Sequence, residues 1–545
     1  MKADFTRNTF HAFRHFTRVL MQQGRVLLDA DWNEQAAILL RYLRSMAADI
    51  IGPHGGPAGN LGFRIVALPP AAPSVADFGI TAGHYYVDGI LCEINSTPVS
   101  VTAVQTRSNI VVSRWIVDGV PFQEGQYLQL YDASKKPHSV IVRISDTTQP
   151  SLSLTLTPNI NSIGWITNKK AILFVRRILT YTSQPDYPVS EKLTTGTSYL
   201  VYLDVWERLI TRVEDDRIRE VALGGPDTAA RTKLVTQVKV TRAAQTVPGT
   251  DNPQDATSQS LSDKFQPWNC GFLKARTAPS AASSNPGLIS PPSGYRGTEN
   301  QLYRVEIHTG SLTPDGGPAT PTFKWSRENG SVACPILSGG GTTLLTLETF
   351  GRDDRFGLAV GDWVEIQDDA SVLLNRSIPL QQIQSIDCRS MQVTLNGRAD
   401  PSVGKDPTKH PLLRRWDQKE INGKDGGLQL GGDNAALIVE GTSDTEWLNL
   451  ENGIQIQFQQ AVDGVPATYR TGDYWLIPAR TATGDIEWPT QAGEDRQGNL
   501  TCVPAALPPD GVDHRFAPLA VITLDGKSAP APCQFSFASA TAPTK

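Results

Sequence analysis

Gly361-Asp362-Trp363-Val364-Glu365-Ile366-Gln367-Asp368 and Gly125-Gln126-Tyr127-Leu128-Gln129-Leu130-Tyr131-Asp132 have the same build. Each opens on a glycine and a polar residue, places an aromatic third, and then alternates apolar with polar side chains. A period of two puts alternate side chains on opposite faces of an extended strand. Both stretches are therefore read as strands of antiparallel sheet with one wet face. A second alternating run follows each of them: Leu152, Leu154 and Leu156 in the first case, Met391, Val393 and Leu395 in the second. Between them, Ile144-Ser145-Asp146 loosely matches Ile386-Asp387. Two small β-barrel-like modules are expected, over 111–160 and 346–400. Gly472-Asp473-Tyr474-Trp475-Leu476-Ile477 repeats the opening alone. The copies lie too far apart for a solenoid.

Outward from these runs the strand pattern continues. Tyr85–Ile94 reads as a hairpin about Asp88-Gly89, because Asp-Gly accepts the positive φ angles of a two-residue turn. Tyr199–Trp206, Lys233–Val240, Phe323–Val332 with Asn329-Gly330, and Leu450–Phe458 with Asn452-Gly453 alternate or carry turns in the same way. With 46 Gly, 38 Pro and 19% charged residues, the chain is too rich in helix breakers for a helical array or coiled coil. Its 39% hydrophobic content and net charge of -5 exclude a disordered chain. The fold class is mainly β: several small antiparallel barrel or sandwich modules behind an N-terminal arm and one amphipathic helix. The expected organisation is an arm and helix over 1–57, a β segment over 58–110, the first module, and a sandwich-like core of 161–243 with 301–345. A Pro/Ser-rich loop at 244–300 interrupts that core. The second module, a C-terminal β domain over 401–527 and an extended tail over 528–545 complete it.

One segment has a helical period. Trp32, Ala36, Leu39, Leu40, Leu43, Met46, Ala47 and Ile50 form a single stripe, as on a helix of 3.6 residues per turn. Asp31 and Glu34 resemble a capping box at its start, and Gly52-Pro53 ends it. Two readings stay open: a helix packed on its own domain, or an assembly arm. For the second, Phe5, Phe10, Phe13, Phe16, Arg18, Arg25, Trp32, Leu39 and Leu43 are the interface candidates, since aromatic and Arg side chains anchor interfaces.

Residues that would carry chemistry are few. The 50 basic and 55 acidic residues give no field for a polyanion, and nucleic acid is not an expected partner. The apolar runs fall short of a bilayer span. No secretory signal is visible at the N-terminus, so the expected origin is the cytoplasm. Cys92, Cys270, Cys334, Cys388, Cys502 and Cys533 are scattered, unlike the close pairs of a zinc site, and read as reduced thiols. The pair His11/His15 belongs to no HExxH motif, and exposed arm residues are the favoured reading for it. Gly526-Lys527-Ser528 has Val521 where a phosphate loop needs its first glycine. Asp353, Asp354, Asp362, Asp368 and Asp369 read as turn residues ahead of a calcium site. Trp325, Trp363, Trp416, Trp447, Trp475 and Trp488 read as sheet core ahead of a sugar-stacking platform. No catalytic residue, cofactor or metal is expected.

The segment from Phe16 to Gln35, with Gly24-Arg25 leading into Trp32-Asn33-Glu34-Gln35, resembles the opening of a poorly characterised bacterial family. Its members are encoded beside phage-tail-like contractile injection systems. Tyr202–Arg208, Val221–Thr228, Phe323–Gly330 and Tyr469–Arg480 resemble the same family. The arm is also loosely similar to the start of some phage baseplate and tail-fibre proteins. The resemblance implies a structural, oligomeric subunit of such a particle, in its baseplate, cage-like extension or fibre. Its partners would be other subunits and further copies of itself, and it would leave the cell with the particle or stay at the envelope. A glycan-binding or glycan-degrading tip protein is the alternative, and a carried toxin a weaker one.

Overall fold

The computed structural model describes residues 1–537 except 70–75, 107, 134–137, 161–164, 167–170, 189–190, 244–254, 280–293, 314–315, 354–355, 398, 420–427, 442–445, 461–463, 495–499 and 526–527. The chain is mainly β, as the alternation predicts, and divides into two compact units. One comprises Met1–Leu40, Glu207–Lys233 and Gln266–Asp513; the other comprises Arg41–Trp206, Leu234–Phe265 and His514–Lys545. Among the described residues the α-helices are α1 (Asp29–Ile51), α2 (Ser258–Phe265) and α3 (Asp369–Leu373).

The unit beginning at Arg41 holds the first closed barrel. Its strands are Val99–Thr106, Asn109–Val112, Tyr127–Asp132, Ser139–Thr148, Ser153–Thr157 and Leu173–Arg177. Leu128, Leu130, Val142, Ile144, Leu154, Leu156 and Val175 fill it. A second core is shared by two four-stranded sheets and the small sheet Leu179–Thr180, Phe78–Ile80, Ile65–Ala67. One runs Ser536–Phe537, His54–Pro57, Gly83–Val87, Ile90–Ile94; the other runs Arg231–Arg242, Ser198–Ile210, Arg515–Thr523, Ala531–Pro532. The Asp88-Gly89 hairpin forms as expected, with Val87 opposite Ile90 and φ of 48° and 72° at the turn. Gly89 packs so closely on α1 that a Cβ there would lie 2.0 Å from the Arg44 carbonyl oxygen. The outer edge of the long strand Arg231–Arg242 is occupied by a side chain. Val238 N donates to Gln184 Oε1 (2.7 Å), and Gln184 Nε2 donates to Val238 O (2.9 Å).

The other unit holds the second closed barrel, built from Ala333–Ser338, Leu344–Leu347, Trp363–Gln367, Gln381–Asp387, Gln392–Asn396 and Leu412–Trp416. A five-stranded sheet has the order Ala436–Leu437, Thr322–Ser326, Gln301–Thr309, Tyr474–Arg480, Asp485–Ile486. It shares a core with the sheet Phe272–Thr277, Ile454–Gln459, Leu448–Asn449.

The two barrels have one topology. In both, taken in chain order, the third strand pairs with the fourth and sixth, the fifth with the fourth and second, and the first with the second and sixth. The repeated opening makes the same clamp each time. Gly125 N donates to Ile144 O and Ile144 N to Gln126 O; Gly361 N donates to Ile383 O and Ile383 N to Asp362 O. The fourth strand has a register shift just after that isoleucine in both, at Ile144/Asp146 and Ile383/Ser385. The equivalent of Ile144 is thus Ile383, not Ile386, because the alternation restarts after the bulge. Leu152 and Met391 both have positive φ, 50° and 55°, just before the fifth strand. The third opening repeats the clamp in an open sheet: Gly472 N donates to Ile307 O, and Ile307 N to Asp473 O.

Several expected boundaries change. The first barrel draws on 99–177 rather than 111–160, and the second on 333–416 rather than 346–400. The strands expected to share a core across 161–243 and 301–345 lie in separate sheets: Ser198–Ile210 pairs with Arg515–Thr523, and Gln301–Thr309 with Tyr474–Arg480. The expected 401–527 domain is divided among several sheets, since Leu412–Trp416 closes the second barrel and Ile454–Gln459 pairs with Phe272–Thr277. Sheets are closed by strands distant in sequence, which contiguous windows do not reveal. Within the expected 244–300 loop, α2 and Phe272–Thr277 are regular; 244–254 and 280–293 lie outside the described residues. In the expected tail, Ser536–Phe537 pairs in parallel with His54–Pro57.

Candidate assembly surface

The arm begins inside its own unit. Lys2 Nζ lies 2.9 Å from Glu306 Oε1 and 5.7 Å from the centre of the Trp416 ring. Asn329 Nδ2 donates to Ala3 O at 2.8 Å. The seat is a buried network of charge on the strands of the five-stranded sheet and the second barrel. Arg304 Nε donates to Glu306 Oε2 at 2.6 Å, Lys324 Nζ to Glu365 Oε2 at 2.6 Å, and Trp416 Nε1 to Glu365 Oε2 at 2.9 Å. Arg304, Glu306, Lys324 and Glu365 are each 3% exposed or less. Burial pushes the Glu306 carboxyl up, but Lys2, Arg304 and Lys324 together hold it well below the usual range. Burial brings Lys2 down to about 8 in spite of Glu306. Among the buried groups is His308, wholly inaccessible, with neither ring nitrogen hydrogen-bonded and Nε2 3.9 Å from Asp433 Oδ2.

From this seat the arm runs back over the start of α1. Thr6 N and Oγ1 both donate to Asp29, Thr9 Oγ1 donates to Glu34 Oε2 (2.6 Å), and Val19 N donates to Gln35 Oε1 (2.8 Å). Arg7 is fixed to Glu487 at 2.8 Å. The helix starts at Asp29, so Asp31 lies in its first turn. Glu34 takes the Thr9 hydroxyl instead of closing a capping box. The far end is as expected: Gly52 has φ of 92°, and its N–H donates to Ala48 O.

Beyond these ties the arm and helix present apolar side chains to solvent. Phe13, Phe16, Leu20, Met21, Val26, Leu27, Trp32, Leu39, Leu43, Met46 and Ile50 are all exposed, and α1 buries only Ala30 and Ile38. Of the nine expected interface residues, Phe13, Phe16, Arg18, Arg25, Trp32, Leu39 and Leu43 lie on this surface, while Phe5 and Phe10 are half-buried. Leu20, Met21, Val26 and Leu27 complete it. Their apolar runs beside Gly24 are the signal that could have added them to the candidates.

The other constellations have local partners. Asp368 caps α3 by accepting from Ser371 N, and it also accepts from Gly404 N. Asp369 receives Arg208 at 2.7 Å and lies 2.7 Å from His410 Nδ1. Asp353 and Asp362 accept backbone N–H groups of nearby turns, from Phe356 and Ala359. Asp354 and the pair Gly526-Lys527 lie outside the described residues. Trp325, Trp416, Trp447 and Trp475 are buried, Trp363 and Trp488 half-buried. The exposed indoles are Trp32 and Trp268. His11 and His15 are both exposed, with His11 against Phe13. No helix among the described residues is long and apolar enough to cross a membrane.

No curated protein and no solved structure matches the chain. A family model matches over residues 1–120, 180–265 and 251–544, so it takes in the arm, α1 and the whole second barrel. The part it passes over, 121–179, contains four of the six strands of the first barrel. By this match, over most of its length, the chain belongs to the family of unknown function DUF6519.

Proposed function

We propose that the chain is a structural subunit that works by assembly, without catalysis, in a phage-tail-like contractile injection particle. Its place would be the baseplate, the cage-like extension or a fibre. The observation that carries the assembly part is the run of exposed apolar side chains from Phe13 to Ile50. Large apolar side chains left exposed this densely along one stretch of chain mark a site of protein contact. A basic character accompanies it: Arg14, Arg18 and Arg25 precede α1. Steering toward an acidic partner surface follows from such a charge. The particle itself is suggested by the resemblance of Phe16–Gln35, Tyr202–Arg208 and Tyr469–Arg480 to proteins encoded with such systems.

The test replaces arm side chains that touch little of their own unit. A chain carrying Phe16→Ser, Leu20→Ser, Val26→Ser and Leu27→Ser should keep its thermal midpoint when purified alone. In cells producing the particle it should fall at least tenfold in particle-bound amount, and one density should disappear on imaging. Normal stoichiometry of the quadruple variant in purified particles would remove this reading.

A further inference from the structure

The apolar stripe on α1 is more regular than an ordinary core-facing stripe. Trp32, Ala36, Leu39, Leu43, Met46 and Ile50 follow one another in steps of four, three, four, three and four. That is the 3.5-residue repeat of a coiled-coil seam, with apolar residues at the a and d positions of a heptad. All six are exposed: Trp32 and Ile50 at 76%, the three larger residues between them above half. The residues that α1 buries, Ala30 and Ile38, fall at the b and c positions, away from the seam. The helix thus rests on its own protein by one side and offers a complete seam on another.

We propose that the seam is covered by α1 of a second copy of this chain, lying antiparallel about a two-fold axis beside Arg41. This deepens the assembly reading and rests on it. The side-chain volumes select the direction. Antiparallel about residue 41, Trp32 faces Ile50 of the second copy, Ala36 faces Met46, and Leu39 faces Leu43, so the smallest residue meets a long flexible one. In a parallel pair each layer would meet itself. Ala36 against Ala36 leaves a gap, Trp32 against Trp32 overfills, and both mismatches are destabilising. A parallel pair would also bring together the N-terminal ends with Asp29, Asp31 and Glu34 and align the helix dipoles, which antiparallel packing opposes favourably. No like charges meet beside the seam, because the flanking positions are Asn33, Gln35, Leu40, Tyr42, Ala47 and Asp49. The exposed parts of the seam with Leu40 and Tyr42 amount to roughly 800 Å² per copy, which matches the ~800 Å² per partner of a stable interface. A two-fold contact of this kind closes on itself and gives a dimer, not a filament.

The test uses the full chain with Cys388→Ser and Cys502→Ser, which removes the two exposed thiols. Light scattering at tens of micromolar should give twice the mass of one chain. Leu43→Glu should return it to a single chain whose unfolding midpoint equals that of the parent protein diluted until the dimer has dissociated. A short bismaleimide should cross-link Leu40→Cys to itself across the axis. It should leave Asn33→Cys unlinked, because two copies of that position lie about 24 Å apart along antiparallel helices at 1.5 Å per residue. A single-chain mass for the parent protein, dimers that survive Leu43→Glu, or cross-linking at Asn33→Cys would each overturn the proposal. Particle incorporation of the arm variant is read separately, so failure of the dimer is distinguishable from failure of the assembly reading.

Discussion

Glu306, itself almost wholly buried, faces three cationic side chains, Lys2, Arg304 and Lys324. Removing one member of a buried charged cluster leaves the others unpaired, at a cost of about 3–5 kcal/mol. Glu306→Gln should therefore lower stability by that amount in urea titrations at pH 7. His308 gives the opposite kind of test. Burial first, then Lys324, lowers its pKa from 6.5 to about 4, against the pull of Glu365, Asp433 and Glu306. The unfolded chain takes up the proton near pH 6.5 and the folded chain only near 4, so stability falls as pH drops through that window. At about 1.4 kcal/mol per pH unit, the loss approaches 3 kcal/mol. His308→Leu removes a group whose ring nitrogens have no partner. It should be neutral or stabilising at pH 7 and should reduce the loss of urea midpoint between pH 7 and 5. His54, also lowered to about 4 by burial, leaves a residual slope. None of this was legible in the sequence, because Arg304, Glu306 and Lys324 sit at strand positions whose alternation reads as a wet face. The strands Gln301–Thr309 and Thr322–Ser326 that carry them are instead buried on both faces.

Among the elements, the Gly-polar-aromatic opening was legible because the backbone demands it. Gly125 and Gly361 have φ of 89° and 92° and little or nothing near a Cβ. The cost of a side chain there is conformational, about 1–2 kcal/mol for each left-handed residue. Gly125→Ala and Gly361→Ala should each show that loss in chemical denaturation with the barrels intact. Gly89→Ala should cost distinctly more, because its Cβ meets the Arg44 backbone of α1. Tryptic cleavage within α1 would report the loosened packing. The start of α1 lies three residues before the expected one because Asp29, Asp31 and Glu34 all suit a first turn. What decides among them is Thr6 and Thr9, more than twenty residues upstream.

For the whole molecule, the class and the two barrels could be read from local alternation, and the assignment of strands to sheets could not. Ser198–Ile210 finds its partner more than 300 residues later, at Arg515–Thr523, and a window of ten residues has no view of it. The arm was legible as apolar and aromatic, yet it is not a free appendage, since Lys2 and Ala3 contact Glu306 and Asn329. Deleting residues 1–28 should consequently lower the unfolding midpoint of the isolated protein, which the quadruple serine variant should not do. A truncation that left the midpoint unchanged would show that the Lys2 contact contributes nothing to stability. The outer edge at Val238, filled by Gln184, denies sheet-to-sheet pairing to other chains.

The seating of Lys2 also sets a schedule. It leaves the ribosome 304 residues ahead of Glu306, about 15 to 60 s at synthesis rates of roughly 5–20 residues per second. Throughout that interval Lys2 waits without its anchor while the apolar face of α1 is already made. In the proposed dimer, nascent neighbours on a polysome would therefore meet through that face before either had finished its body.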